Sequence, residues 1–229
     1  MTDGHATGPV GAPAAAATVF GPRLELAVRY AAMLADAGVV RGLIGPREAD
    51  RVWDRHLLNS AVIAELIGPE LLVGDVGSGA GLPGLPLAIA RPDLRVELIE
   101  PMERRAEFLR DVIAELELFG VCVVRARGED ANRDRYDVVT ARAVAPLARL
   151  VPMALPLARV GGVLLAIKGA SAAEELSAAT LPVTGAGGAR GELLTAGVGV
   201  VDPPTTVVSI VRLRELTPAR RGSAGGRRG

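Results

Sequence analysis

Asp75-Val76-Gly77-Ser78-Gly79-Ala80-Gly81-Leu82-Pro83-Gly84 is the stretch whose residue types and spacing could do chemistry most directly. An acid closes a short apolar run, and three alternate glycines follow it. Glycines so spaced let the backbone turn tightly and approach a ligand closely, because no Cβ intervenes. In an open α/β sheet that ligand lies beyond the carboxyl ends of the strands. Asp75, two residues before the first glycine, completes D-x-G-x-G-x-G, the loop of adenosylmethionine-dependent enzymes. Gly79, Gly81 and Gly84 also spell G-x-G-x-x-G, the dinucleotide pattern. Counted from Gly77, the first glycine after the run, that pattern fails at Leu82. The loop favours a methyltransferase, with a dinucleotide enzyme and a structural glycine turn as the other readings.

Further residues extend this chemistry. Glu100 closes a second apolar run 19 residues after Gly81. An acid there can accept hydrogen bonds from the ribose hydroxyls of an adenosine ligand; otherwise it is a solvated strand-end glutamate. Gly128-Glu129-Asp130 follows a third run, where adenosylmethionine enzymes contact adenine, although acids are also common in turns. Arg142 ends a fourth run. It could hold the cofactor carboxylate, an RNA phosphate or a guanine edge, or close a structural salt bridge. Arg47, Arg51 and Arg55 recur at i, i+4, i+8, one face of an α-helix, with His56 beside them. Like charges so placed repel by roughly 0.2–0.5 kcal/mol per pair. An anionic partner is expected opposite them, unless Asp50 and Asp54 neutralise them. Asp202-Pro203-Pro204 is similar to the D-P-P-Y of amino-group methyltransferases, but it precedes the last strand and Thr205 replaces the aromatic. Cys122 reads as a small buried hydrophobe.

These residues need elements that gather them at one edge of a sheet. LLVGDVG from residue 71, LRVELIEP (94–101), VCVVRA (121–126), YDVVTA (136–141) and GVLLAIKG (162–169) predict five buried parallel strands. LLTAGVGVV and TTVVSIVRL predict two last strands that pair antiparallel at an edge. Pro83 opens a helix. Phe108, Leu109, Val112, Ile113, Leu116 and Phe119 mark another, capped by Gly120. Pro146 to Ala158 predicts a third that Pro152 and Pro156 kink or split. This alternation predicts an α/β fold, a doubly wound and mostly parallel sheet with an antiparallel edge strand. Helices lead in front. Pro22 opens one that Gly38 stops, Pro46 starts another through Asp54, and Leu58, Val62, Ile63 and Leu66 mark one ending at Gly68-Pro69. The expected layout is a flexible arm at 1–19, a helical cap at 20–69, the ligand-binding domain at 70–215 and a disordered Arg/Gly tail at 216–229.

With 229 residues, 49% of them hydrophobic and 23% charged, the chain can bury a sizeable core, which excludes a disordered protein. One cysteine and two histidines leave no disulfide framework and no metal cage. No apolar run approaches the ~18 residues that span a bilayer, and no secretory signal is visible; a cytoplasmic protein is expected. Charge is unevenly placed. Residues 205–229 carry six arginines against one glutamate, a net of +5, so residues 1–204 carry −5. A wholesale basic field for nucleic acid is absent.

VWDRHLLNS (52–60), DVGSGAGLPGLPLAIARPDL (75–94), RRAEFL (104–109), TARAVAPL (140–147) and LLAIKG (164–169) resemble the RsmG/GidB family of bacterial 16S ribosomal RNA guanine-N7 methyltransferases. The match runs from about Phe20 to Gly169. Its pairing of R-H-L-L-N-S with G-L-P-G-[LIV]-P is far more specific than a glycine loop. The resemblance implies a class I methyltransferase (Rossmann-like) sheet with an N-terminal helical cap. It implies S-adenosyl-L-methionine held by Gly77, Leu82, Gly128, Glu129 and Arg142; Gly79 and Glu100 join them from the loop and strand readings. It also implies that Arg55, His56, Arg142 and Lys168 lie near the RNA or its target base, with Arg142 and His56 as the candidate catalytic residues. Arg47 and Arg51 are the further candidates for RNA contact. The expected partner is 16S ribosomal RNA or the small subunit, bound by a monomer. Gly128 stands where the family often has alanine, and the match weakens after residue 170.

Guanine N7 carries an in-plane lone pair and needs no deprotonation. Such a site needs no general base, and its rate would come from proximity and orientation. Donors should then address O6 and leave N7 free, with an unstacked guanine as the substrate. The rivals are an NAD-dependent oxidoreductase using the Gly79 pattern and a non-catalytic ribosome-binding factor.

Overall fold

A computed structural model describes residues 11–214; the tail expected at 216–229 lies outside them. Seven strands form one sheet in the order β3-β2-β1-β4-β5-β7-β6. They are β1 (Leu72–Val76), β2 (Arg95–Ile99), β3 (Val121–Val124), β4 (Tyr136–Arg142), β5 (Ala158–Lys168), β6 (Glu192–Ala196) and β7 (Thr205–Val211). β1 to β5 run parallel. β7 runs antiparallel to both β5 and β6, so the antiparallel strand sits one place in from the edge and β6 closes the sheet.

Successive residues of a strand face opposite sides, and here both sides are covered. Leu98, Val138, Leu165 and Val207 pack with the cap, α4 (Gly84–Ala90) and α5 (Glu103–Glu115). Ile99, Val139, Leu164 and Val208 pack under α6 (Leu147–Ala154), α7 (Ala172–Ala178) and α8 (Thr180–Gly185). Two-sided burial is why the strands read as apolar runs rather than as alternations. Strand order reverses between β1 and β4. The connections there leave in opposite directions, and a crevice opens at the carboxyl ends of these two strands.

The cap departs from the sequence reading in two places. Residues 14–19, expected within a flexible arm, form α1 together with Phe20 (Ala14–Phe20). Four alanines favour the helix, and Phe20 buries edge-on against Trp53, with ring centroids 6.4 Å apart. α2 (Leu24–Met33) follows. The second departure is at Pro46, where a 3-10 turn (Pro46–Arg51) leads into a π-type turn (Val52–Leu58) and the short α3 (Asn59–Ala61). The wide turn brings Val52, His56, Leu57 and Leu58 inward together. The residues per turn differ from 3.6 throughout, so Arg47, Arg51 and Arg55 do not share the single α-helical face that their spacing predicts. All three are exposed.

Two details past α5 also differ. The helix ends at Glu115, and Glu117 rather than Gly120 takes the left-handed conformation, at φ 53°. Phe119 is consequently 95% exposed while Leu118 turns inward. Cys122 is exposed rather than buried, because β3 is the outer strand of the sheet. No helix among the described residues is long and apolar enough to cross a membrane.

Candidate active site

Gly77, Gly79 and Gly81 all adopt left-handed conformations, with φ of 67°, 58° and 98°. Their surroundings differ. A Cβ on Gly77 would lie 2.8 Å from Val144, and one on Gly81 would lie 2.2 Å from Leu85. Above Gly79 the nearest atom is the Gly77 carbonyl at 3.8 Å. The loop is packed from below at Gly77 and Gly81 and open at Gly79, the shape of a ligand cradle. At Gly84 a Cβ would come 2.4 Å from Leu98, so α4 starts in tight contact with the sheet.

Asp75 holds this shape from inside. Its fully buried carboxylate accepts hydrogen bonds from the Gly84 N–H (3.2 Å) and the Thr140 hydroxyl (3.0 Å), tying the loop to α4 and β4. Burial pushes its pKa up to about 6, against those hydrogen bonds, which lower it. From the cap, the buried Tyr30 hydroxyl donates to the Ala80 carbonyl at 2.8 Å.

Glu100, also buried, accepts from the Gly79 N–H and the Met102 N–H, each at 2.9 Å. Each carboxylate oxygen keeps a second lone pair, so a ribose diol beside Gly79 has acceptors already fixed in place. Gly128 is buried at a 3-10 turn (Gly128–Asp130), with Glu129 exposed next to it. A Cβ on Gly128 would meet Met153 at 2.7 Å; the flexible Met153 fills the place of the missing methyl. Leu82 is half-buried between the loop and α4. Gly77, Gly79, Leu82, Glu100 and Gly128 thus follow the carboxyl ends of β1, β2 and β3.

Arg142, the last residue of β4, reaches back into the cap. Its two terminal nitrogens donate to the carbonyls of Arg55 (2.7 Å) and His56 (3.2 Å), to Ser60 Oγ (2.8 Å) and to His56 Nδ1 (3.0 Å). A guanidinium carries five N–H bonds, so these contacts engage every one but Nε–H. Because a guanidinium only donates, Nδ1 of His56 must accept, and the imidazole is neutral with its proton on Nε2. Burial, followed by the Arg142 charge, lowers the His56 pKa. Nε2 lies 3.0 Å from Glu48, off the line of a hydrogen bond. The same Glu48 oxygen lies 3.3 Å from Arg55 Nε. Glu48, rather than Asp50 or Asp54, is therefore the acid that faces Arg55.

Lys168 ends β5 with its ammonium on the Ala145 carbonyl and on Glu175, both at 2.8 Å. Glu175 also accepts from the Leu147 N–H at 2.7 Å. The lysine therefore fixes the β4–α6 loop instead of presenting a free charge. Between that loop and the start of β7 lies a cleft of about 870 Å3, lined by Arg55, Asn59, Arg142, Val144, Lys168 and Pro204 among others. Arg47 and Arg51 do not line it. Val144 packs on Gly77, so the cleft begins where the glycine cradle ends.

The family model described as rRNA small subunit methyltransferase G (GidB) matches residues 23–189. The chain belongs to this family. A relative named ribosomal RNA small subunit methyltransferase G from Salinispora tropica is 55% identical over 97% of each chain. One of the same name from Mycolicibacterium paratuberculosis is 53% identical over 94% of this chain and 89% of its own. Among solved structures, the S-adenosylmethionine-dependent methyltransferase SibL matches with a TM-score of 0.53 and 20% identity, over 69% of this chain and 55% of its own. A predicted O-methyltransferase from Agrobacterium tumefaciens matches with a TM-score of 0.51 and 18% identity, over 73% and 89%. These two share the fold.

Membership of the GidB family makes the chain an S-adenosylmethionine-dependent ribosomal RNA methyltransferase, and the dinucleotide and non-catalytic readings have no support. Sequence reasoning missed Tyr30, Glu48 and Asn59. Tyr30 left a signal as a tyrosine three residues after Ala27 on the buried face of α2, and Asn59 as a member of R-H-L-L-N-S; Glu48 left none.

Proposed function

We propose that this chain methylates N7 of one guanine in 16S ribosomal RNA, acting in the cytoplasm as a monomer on the RNA or the small subunit. The supporting observation is the contact of Val144 with Gly77, which joins the cradle and the cleft at the reversal between β1 and β4. Gly77, Gly79, Leu82, Gly128 and Glu129 would hold S-adenosylmethionine, with Glu100 accepting from its ribose. The cofactor supplies a methyl group on a sulfonium, whose leaving group departs neutral.

Guanine N7 bears no proton, so this chain has no proton to move. Neutral His56, with Nδ1 on Arg142 and Nε2–H toward Glu48, suits that chemistry: it is a positioning residue. Arg142 brings a fixed positive charge between cradle and cleft and holds the cap in register with β4, leaving Nε–H for the ligands. Arg55 lies on the cleft and Arg47 and Arg51 outside it, where an RNA backbone would pass; Lys168 shapes the wall. What these groups supply is orientation, worth several kcal/mol of barrier when the reacting atoms are held in line.

The test is transfer of labelled methyl to small subunits from cells lacking this activity, followed by digestion to nucleosides. Label in 7-methylguanosine is the expected result; label in any other nucleoside overturns the N7 reading. In the same assay Arg142→Ala should cut turnover at least 100-fold with the far-ultraviolet spectrum unchanged.

A further inference from the structure

All six aromatic residues of the chain fall among the described residues, and none of them lines the cleft. An unstacked base usually lies on an aromatic face. Here the ring surfaces available are prolines. β5 lies between β4 and β7, so its end at Ile167 and Lys168 forms the floor. One wall is the β4–α6 loop with Val144 and Pro146, and the other is Pro203-Pro204 at the entry to β7. Pro203 and Pro146 are exposed and Pro204 is half-buried, as rings facing open space must be. The Asp202-Pro203-Pro204 sequence, out of place for an amino-group methyltransferase, thus arrives at the cleft from the far side of the sheet.

Two consecutive cap residues hold these walls apart. Ser60 accepts from Arg142 at the end of β4. Asn59 accepts from the buried Thr205 hydroxyl at the start of β7, at 3.1 Å through its side-chain oxygen and 3.2 Å through its backbone carbonyl. At its other end the β6–β7 loop is tied to the cap by the Gly197 N–H, which donates to Glu65 at 3.0 Å. Asn59 itself lines the cleft. With its oxygen turned to Thr205, its amide N–H2 is the group left for a ligand there. Arg142, with its terminal nitrogens engaged in the cap, cannot grip a base edge bidentately.

We propose that the cleft between Pro203-Pro204 and Val144-Pro146 seats the target guanine, and that Asn59 selects it by donating its side-chain amide to O6. This rests on the guanine reading above. A donor at this position leaves N7 free. It also rejects adenine, which presents its own N6–H2 donor at the place of O6. The proline rings would hold the base faces by dispersion, which many small contacts make substantial.

The experiment compares the full-length wild type with Asn59→Ala, Asn59→Asp and Pro204→Gly. It reads methyl transfer to undermethylated small subunits, adenosylhomocysteine affinity and the urea midpoint. Asp keeps an oxygen for the Thr205 hydroxyl but removes the donor. If Asn59 reads O6, Asp falls at least as far as Ala, each losing tenfold or more in kcat/KM with cofactor affinity unchanged. If Asn59 only braces Thr205, Asp works like the wild type and Ala does not, which overturns the assignment. Pro204→Gly removes a ring without touching a hydrogen bond, and a loss of several-fold in kcat/KM is expected. An unchanged value overturns the seat, whatever the Asn59 variants do to folding. A wild type that leaves no label in 7-methylguanosine overturns the N7 reading itself, an outcome distinct from both.

Discussion

Tyr30 and Asp75 grip the same loop from opposite sides, and each makes a separable prediction. The Tyr30 hydroxyl satisfies the Ala80 carbonyl in a site without solvent. Tyr30→Phe leaves that carbonyl without its donor, at a cost of about 1–3 kcal/mol, and loosens the cradle. Urea denaturation should show the stability loss, and calorimetry a severalfold weaker adenosylhomocysteine complex. Asp75 predicts a pH effect. Its folded pKa of about 6 lies above the usual 3.8. Between those values the folded chain keeps a proton that the unfolded chain has released. The contribution of this group to stability therefore falls as pH rises from about 4 to about 6, and stays lost above. About two pKa units correspond to about 3 kcal/mol. Asp75→Asn keeps an oxygen for the Gly84 N–H and offers its amide to Thr140. Relative to the wild type it should gain about that much stability between pH 4 and pH 7. A pH-independent difference between the two proteins would show that Asp75 does not titrate there.

At the scale of elements, the glycine loop shows what sequence can and cannot say. Alternate glycines after an acid-ended apolar run are a local signal, so loop, strand and ligand cradle were legible together. The jobs of the individual glycines were not, because they depend on what packs behind each. Gly79→Ala meets open space, so it should cost roughly 1–2 kcal/mol for the left-handed backbone and weaken adenosylhomocysteine binding tenfold or more. Gly81→Ala drives a methyl into Leu85 and should cost far more stability. Equal stability losses in the two variants, measured by urea denaturation, would contradict this division. The misread elements share a cause. For the arginine stripe, the end of α5 and Cys122 the sequence offers only helical period or residue type. What decides them is tertiary: inward burial of Val52, His56, Leu57 and Leu58, the turn at Glu117, and the edge position of β3. The partners of Arg142 lie 82 to 87 residues earlier in the chain, beyond any local pattern.

For the whole molecule the question is how a chain of zero formal charge, with −5 over its first 204 residues, meets a polyanion. Long-range attraction cannot do it, since the net charge that would steer a polyanion is zero. Contact would then come from local arginines, and the cap offers three in succession: Arg47, Arg51 and Arg55 are exposed on turns that follow one another, with Glu48 facing only Arg55 and His56. Separate faces suit an irregular RNA surface better than a straight stripe would, because phosphates of a folded RNA do not lie on a line. Each phosphate neutralised on single-stranded RNA adds about 0.7 to the slope of log affinity against log salt. Arg51→Ala combined with Arg55→Ala should therefore weaken subunit binding and flatten that slope by about 1.4, while adenosylhomocysteine binds as before. Filter binding across a series of potassium chloride concentrations measures it directly. A slope equal to that of the wild type would turn these arginines away from the RNA and leave the C-terminal arginines, at a net of +5 over 25 residues, as the next place to look for the contact.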